Sequence, residues 1–253
     1  MSHFPGPPQP GPPPGPPHPG GGNLSDDDGG SDILSAFGSD DEIEEEQAQQ
    51  NNPGTQLNAQ VVITQINNCM QQILHSTTWT AFATYLVTTI QTQTAHRGAL
   101  HEAVMLGGAP VAQVTPNHPE NQRQRSVWQF SFFLCIVDLL QHSGPITVSV
   151  GDPLYRQADT QVFQHFHVNE IQQTGPNLRN TFLYMPFLVV SVKLQNLAKG
   201  PGIVFMDLGP NDHNNPVVQQ WMNALPISHW FQAANLLAGF QAGATFADHA
   251  LFA

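Results

Sequence analysis

The sequence predicts an α+β fold in which an antiparallel sheet packs with helices, preceded by a disordered, Pro/Gly-rich acidic tail. Three observations carry this expectation. Residues 5–22 are almost entirely Pro and Gly, and residues 23–52 are acidic and rich in Gln and Asn. Ser126–Val150 holds the densest apolar run, stops at Gly144-Pro145 and resumes as a short alternating strand. Thr181–Gln195 alternates Leu188, Val190, Val192 and Leu194 with Val189, Ser191, Lys193 and Gln195. A Lys199-Gly200-Pro201-Gly202 turn then leads into Ile203–Leu208, the pattern of a hairpin. The chain divides into a tail, residues 1–55, and a single globular domain, residues 56–253.

The tail follows from composition. Pro lacks an amide donor and Gly has no side chain to bury, so neither builds a core. Ten of the nineteen acidic residues, and none of the seven Lys and Arg, stand in residues 1–50. One apolar cluster interrupts this segment. Ile33, Leu34 and Phe37 share a face if the chain turns helical there, the pattern of a segment that docks into a partner's groove and folds on binding. Ser25 precedes Asp26-Asp27-Asp28 and Ser39 precedes Asp40-Asp41-Glu42, which makes both candidate phosphorylation sites.

The domain is near neutral. Seven basic residues neutralise few phosphates, so direct nucleic-acid binding is disfavoured, as is strong adsorption to anionic lipid. Cys69 and Cys135 are too few for a disulfide framework or a structural zinc site, and both fall in apolar helical patterns. No signal peptide is visible. The apolar run in 126–150 is about 14 residues long against the roughly 20 that a span needs, and Asp138 interrupts it, so a buried core element is expected.

In chain order, Val62, Ile66, Cys69, Met70 and Ile73 predict a helix over 57–75. Trp79, Phe82, Leu86 and Ile90 predict another over 78–93, weakened by its threonines. His101–Leu106 reads as a short third helix ending at Gly107-Gly108. A helix over 120–142 follows, with Asn117 as its cap, apolar on two faces and so buried on most sides. Ile146, Val148 and Val150 predict a strand, and Thr160–Val168 another. Val217–Leu225 and Ile227–Gln241 read as terminal helices.

No phosphate loop, Gly-x-Gly-x-x-Gly or Gly-x-Ser-x-Gly element is present. His165-Phe166-His167 with Glu170 is the one arrangement of metal-ligand character, because residues i and i+2 of a strand share a face. Two solvent-facing histidines on a strand edge are the simpler reading. Asp207, Asp212 and His213 fit turn chemistry better than an acid–base group.

Several stretches, in order, resemble rhabdovirus matrix proteins: Leu106-Gly107-Gly108-Ala109-Pro110-Val111, the aromatic run Trp128–Phe133 followed by Gly144-Pro145, the expected hairpin of Thr181–Leu194 with Ile203–Leu208, and Pro216–Trp221. Together they cover roughly residues 99–225. The resemblance implies a non-enzymatic viral matrix protein that self-associates and bridges nucleocapsid and envelope during assembly and budding. It implies a virion and host-cytoplasm location with contact at the membrane periphery. The partners would be further copies of the chain, on which the tail docks through Ile33, Leu34 and Phe37, and the viral nucleocapsid and host proteins, reached through the tail; no cofactor, metal or nucleic acid is called for. The tail lacks that family's Pro-Pro-x-Tyr and Pro-Thr-Ala-Pro motifs, and no Lys or Arg precedes Arg97. Two alternatives stand beside it: an adaptor or transcriptional regulator acting through residues 32–37, and a metal-dependent enzyme using His165 and His167.

Overall fold

The structure, a computed structural model, describes residues 54–208, 215–216 and 218–219, and the backbone of 228–231 and 249–252. A two-residue strand, β1 (Thr55–Gln56), leads into helix α1 (Ala59–Leu74), whose first turn is capped by the Asn58 side chain accepting from Gln60 N at 2.8 Å. Ser76 caps α2 (Thr77–Arg97) by accepting from Trp79 N at 3.0 Å, and Gly98 ends it with φ +96°. The threonines of α2 do not prevent the helix. Thr80, Thr84, Thr88, Thr89 and Thr92 each donate a hydroxyl to the carbonyl four residues back, so their side chains are satisfied within the helix itself.

The chain continues through β2 (Glu102–Leu106), β3 (Gln113–Val114), α3 (Glu120–Gln141), β4 (Thr147–Gly151), α4 (Gln157–His165), β5 (Asn169–Glu170), β6 (Thr181–Met185), α5 (Val190–Leu197) and β7 (Ile203–Asp207). Strands β8 (Ser228–Phe231) and β9 (His249–Phe252) close the main sheet. Its order is β5-β4-β2-β6-β7-β9-β8. The first five strands are parallel; β9 lies antiparallel between β7 and β8. The small strands β1 and β3 pair separately, Thr55 against Val114.

Successive residues of the central strands feed two cores. Ala103, Met105, Phe182, Tyr184, Ile203 and Phe205 face one cluster, together with residues of α1 to α4. Val104, Leu183, Met185, Val204 and Met206 face the other, which α5 covers with Leu197. A parallel sheet needs a crossover between neighbouring strands, and those crossovers bury both of its faces. Rings of Phe82, Phe132, Tyr184 and Phe205 stack or tilt on one another at 5.0 to 6.5 Å in the larger core. Helix α3 runs through that core, buried without a break from Ser126 to Val137, with Asp138 exposed. Both cysteines are buried and free, and burial pushes their thiols up to about 11 for Cys69 and about 12 for Cys135. Among the described residues no helix is long and apolar enough to cross a membrane.

The helices expected at 57–75, 78–93 and 120–142, and the strand after Ile146, are present. The antiparallel sheet is not: the main sheet is parallel at its core. Thr181–Gln195 does not form one strand, because Pro186 follows Met185, Phe187 turns left-handed (φ +58°), and helix α5 begins at Val190. Strand β7 therefore pairs parallel with β6, after a helical crossover in place of a hairpin. His101–Leu106 contains the central strand β2, not a helix. Its unbroken apolar run is what a strand buried on both faces looks like. Thr160–Val168 is mostly α4. Ser228–Phe231 is extended where a terminal helix was expected. Asn117 does not cap α3; Pro119 precedes its first turn without a side-chain bond.

Candidate functional site

A crevice opens along the C-terminal ends of the parallel strands. Leu106-Gly107 ends β2, Gly151-Asp152 ends β4, Ile171 follows β5, and Leu188 follows β6. The chain leaves β2 toward β4 on one side and later returns to β6 on the other. The crevice thus lies where the strand order reverses, the position at which open α/β sheets bind ligands. It has two chambers that share Gly107, Asp152, Pro153 and Leu188. One, of about 510 Å³, extends toward α5, with Gln195, Asn196 and Lys199 on its wall. The other, of about 450 Å³, extends toward α3, with His118, Arg125, Ser126 and Gln129.

The loop from Gly107 to Ala112 forms the floor between them and is fixed nearly atom by atom. Gly107 (φ +71°) and Ala109 (φ +52°) both adopt left-handed backbone, which is costly for Ala109 and stays only where surrounding contacts enforce it. Gly107 N donates to Gly151 O at 3.0 Å. Ala109 N donates to Asp152 Oδ2 at 3.2 Å. Val111 N and Ala112 N both donate to Asp159 Oδ1 at 2.8 Å. His118 Nε2 donates to Pro110 O at 2.9 Å, and Arg123 donates to Val111 O at 3.0 Å. Arg123, only 1% exposed, also binds Glu120 and reaches Gln65 on α1. That pairing holds the Glu120 carboxyl below its ordinary range.

Gly107 has no room for a side chain, since a Cβ there would stand 2.4 Å from Leu188 Cδ2. The segment after β6 therefore lies directly over the glycine. It is pinned in turn by Phe187 N donating to Asp207 Oδ1 at 3.0 Å. Asp207 also pairs with Lys193 at 2.8 Å, and this lysine is 2% exposed.

Two polar groups on the crevice retain capacity for a ligand. Asp152 is half-buried and accepts from Ala109 N and from Leu154 N at 2.9 Å. Among the described residues no cation stands within ion-pair distance of it. Burial raises its carboxyl above the ordinary value, an effect that the two amides and the His118 and Arg156 charges partly offset. Gln129 is 2% exposed, and its Nε2 has no acceptor among the described residues. A buried donor left unpaired costs about 1–3 kcal/mol, which a ligand acceptor would recover.

Sequence reasoning did not single out Gly107, Gln129 or Asp152 as site residues. The available signal was two short strand-like stretches, each closed by glycine: Ala103–Met105 before Gly107-Gly108, and Val148–Val150 before Gly151-Asp152. The residues that were singled out do not come together here. His165 ends α4 and His167 is left-handed (φ +57°), so they do not share a strand face, and both are exposed. Among the described residues no three His, Cys, Asp or Glu side chains gather to hold a metal. Asp207 is a buried structural carboxylate. Ile33, Leu34, Phe37, Ser25, Ser39, Asp212 and His213 lie outside the described residues.

Fold and crevice together define a doubly wound α/β domain with an open crevice at its strand ends. Residues 86–206, a little under half of the chain and the part that builds most of the crevice, match the model of the SRR1 domain family. No curated protein matches. Among solved structures the chain is similar to Thermoplasma acidophilum 1320, at 9% identity and a TM-score of 0.35, over 74% of this chain and 95% of that one. The SRR1 match overturns the resemblance to rhabdovirus matrix proteins. The short stretches that carried it are elements of a parallel α/β core: the Gly107 turn, buried helix α3, and the β6–α5–β7 crossover. The matrix function, with its nucleocapsid bridging, budding and virion location, is withdrawn with it.

Proposed function

We propose that this chain is a regulatory or adaptor protein whose α/β domain binds a small organic ligand at the C-terminal edge of its sheet. One observation supports this reading above the rest. The Gly107–Ala112 loop is held in a strained shape by Asp152, Asp159, His118 and Arg123 where the strand order reverses, and among the described residues no cation pairs with the half-buried Asp152. Such preorganisation serves binding, since the loop has little entropy left to lose. The role is one of binding rather than catalysis: His118 spends its Nε2 on Pro110, and Asp152 is tied to two amides.

The test is a fragment screen on the isotope-labelled full chain, read by amide chemical shifts. The expected result is that hits perturb Gly107, Gly151, Asp152 and Leu188 together. Hits that cluster elsewhere, or none at millimolar fragment, would reject the site.

The acidic tail supports the adaptor half of this reading. In it, residues 1–55 carry the partner contact through Ile33, Leu34 and Phe37, and residues 56–253 carry the ligand. A peptide spanning 23–52 should bind a partner's apolar groove, and changing Leu34 and Phe37 to Ala should abolish that binding. An unchanged affinity would remove this role.

A further inference from the structure

Resting on the ligand-binding reading above, we infer that the chamber between the Gly107 turn and α3 is a nucleoside site, in which Asp152 receives the ribose hydroxyls and Gln129 donates to the ligand. Each carboxylate oxygen of Asp152 accepts one backbone amide, at 2.9 and 3.2 Å, and keeps a further lone pair. A carboxylate with both oxygens fixed in this way matches two adjacent hydroxyl donors. Its place at the end of β4, the strand beside the glycine turn of β2, is where doubly wound folds put the acid that binds a ribose. Gln129 supplies the second, independent sign. Gln129 lines the same chamber, and its buried amide nitrogen has no acceptor among the described residues. Phe187, 43% exposed on the same wall, offers a ring on which a base can stack.

The turn argues against a phosphate at this position. Phosphate loops point free backbone amides at the anion. Here Gly107 N is bonded to Gly151 O and Ala109 N to Asp152. The helix that follows starts only at Glu120, with that acid in its first turn. The chamber thus suits a nucleoside moiety with no phosphate seated on the turn.

The experiment is titration calorimetry on the full chain with adenosine, inosine, cytidine and uridine, the 2′-deoxy form of whichever binds best, and its 5′-diphosphate. At least one ribonucleoside is expected to bind, and loss of the 2′-hydroxyl to weaken it about tenfold, the usual scale for a hydrogen bond to a charged group. Asp152→Asn should weaken binding by a similar factor and abolish the distinction between ribose and deoxyribose. Gln129→Leu should weaken binding while leaving the Tm of the free protein unchanged or raised, because the removed donor has no partner among the described residues. A structural role for Gln129 would instead lower Tm and spare affinity, and would overturn its assignment. Equal binding of ribose and deoxyribose forms, or a diphosphate about tenfold tighter than the nucleoside, would overturn the ligand class. So would the failure of all four nucleosides while fragments still map to the crevice, an outcome that leaves the site standing. Failure of both would remove the site as well.

Discussion

Asp152 and Asp159 hold the same loop and are put to different uses. Asp159, in the first turn of α4, is wholly buried and accepts three amides: Val111, Ala112 and Arg156 at 2.8, 2.8 and 3.0 Å. Asp152, just after β4, accepts two and faces the crevice. Burial pushes both carboxyls above their ordinary value, and amide bonds draw both part of the way back. The contrast shows what separates a brace from a binding group in one small region. Asp159 has given three lone pairs to backbone and has no solvent edge, whereas Asp152 has given two and keeps an open side.

The sharpest way to break the comparison is Asp159→Ala. Three amides, two of them buried, would lose their acceptor at about 1–3 kcal/mol for each buried one, so a loss of about 4 kcal/mol in urea unfolding is expected. A loss under about 1 kcal/mol would mean that the loop does not depend on Asp159. Asp207 adds a third case, a carboxylate that carries its own cation. Lys193→Met takes the cation from that buried charge beneath the segment over Gly107, and should cost about 3 kcal/mol by the same measurement. Asp152→Asn should cost less than about 1 kcal/mol, since one of its two amides keeps an oxygen acceptor and the other lies close to the crevice. Its larger effect is on ligand.

The smallest expected effect is on pH dependence. An Asp whose folded pKa is raised stabilises the fold in its protonated form, below the ordinary value of 3.8. That contribution is lost as pH rises through the higher folded value. Removing Asp152 removes the loss, so the Tm of Asp152→Asn relative to the native chain should climb between about pH 3 and pH 7. A gap that moves the other way would show that the two amides outweigh burial.

The sequence carried the long helices better than the sheet, whose margins β5 and β8 and central strand β2 it missed. Helices α1, α2 and α3 were legible because one solvent-facing stripe, or a long uninterrupted run, gives their apolar residues a period. Strand β2 was not, because burial on both faces erases alternation, and Ala103-Val104-Met105 then reads equally as a helical turn. The stretch around Leu188 to Leu194 misled for the opposite reason. Its alternation is real, but Pro186 and the left-handed Phe187 break the backbone before it, and Lys193 turns inward to Asp207. The site was the least legible part. Asp152 and Gln129 are ordinary residues in the sequence, and only the parallel pairing of β2 with β4 brings the glycine turn beside the one and the face of α3 that carries the other.

Strand β9 has a consequence for how the chain is made. It enters the sheet between β7 and β8, not at the margin, although it follows both in sequence. As the polypeptide leaves the ribosome, β7 shows an open row of backbone donors and acceptors until Phe252 has emerged. Such an edge invites pairing with another nascent chain. Stalling or cleavage between residues 208 and 249 is therefore expected to yield aggregates rather than a smaller soluble domain.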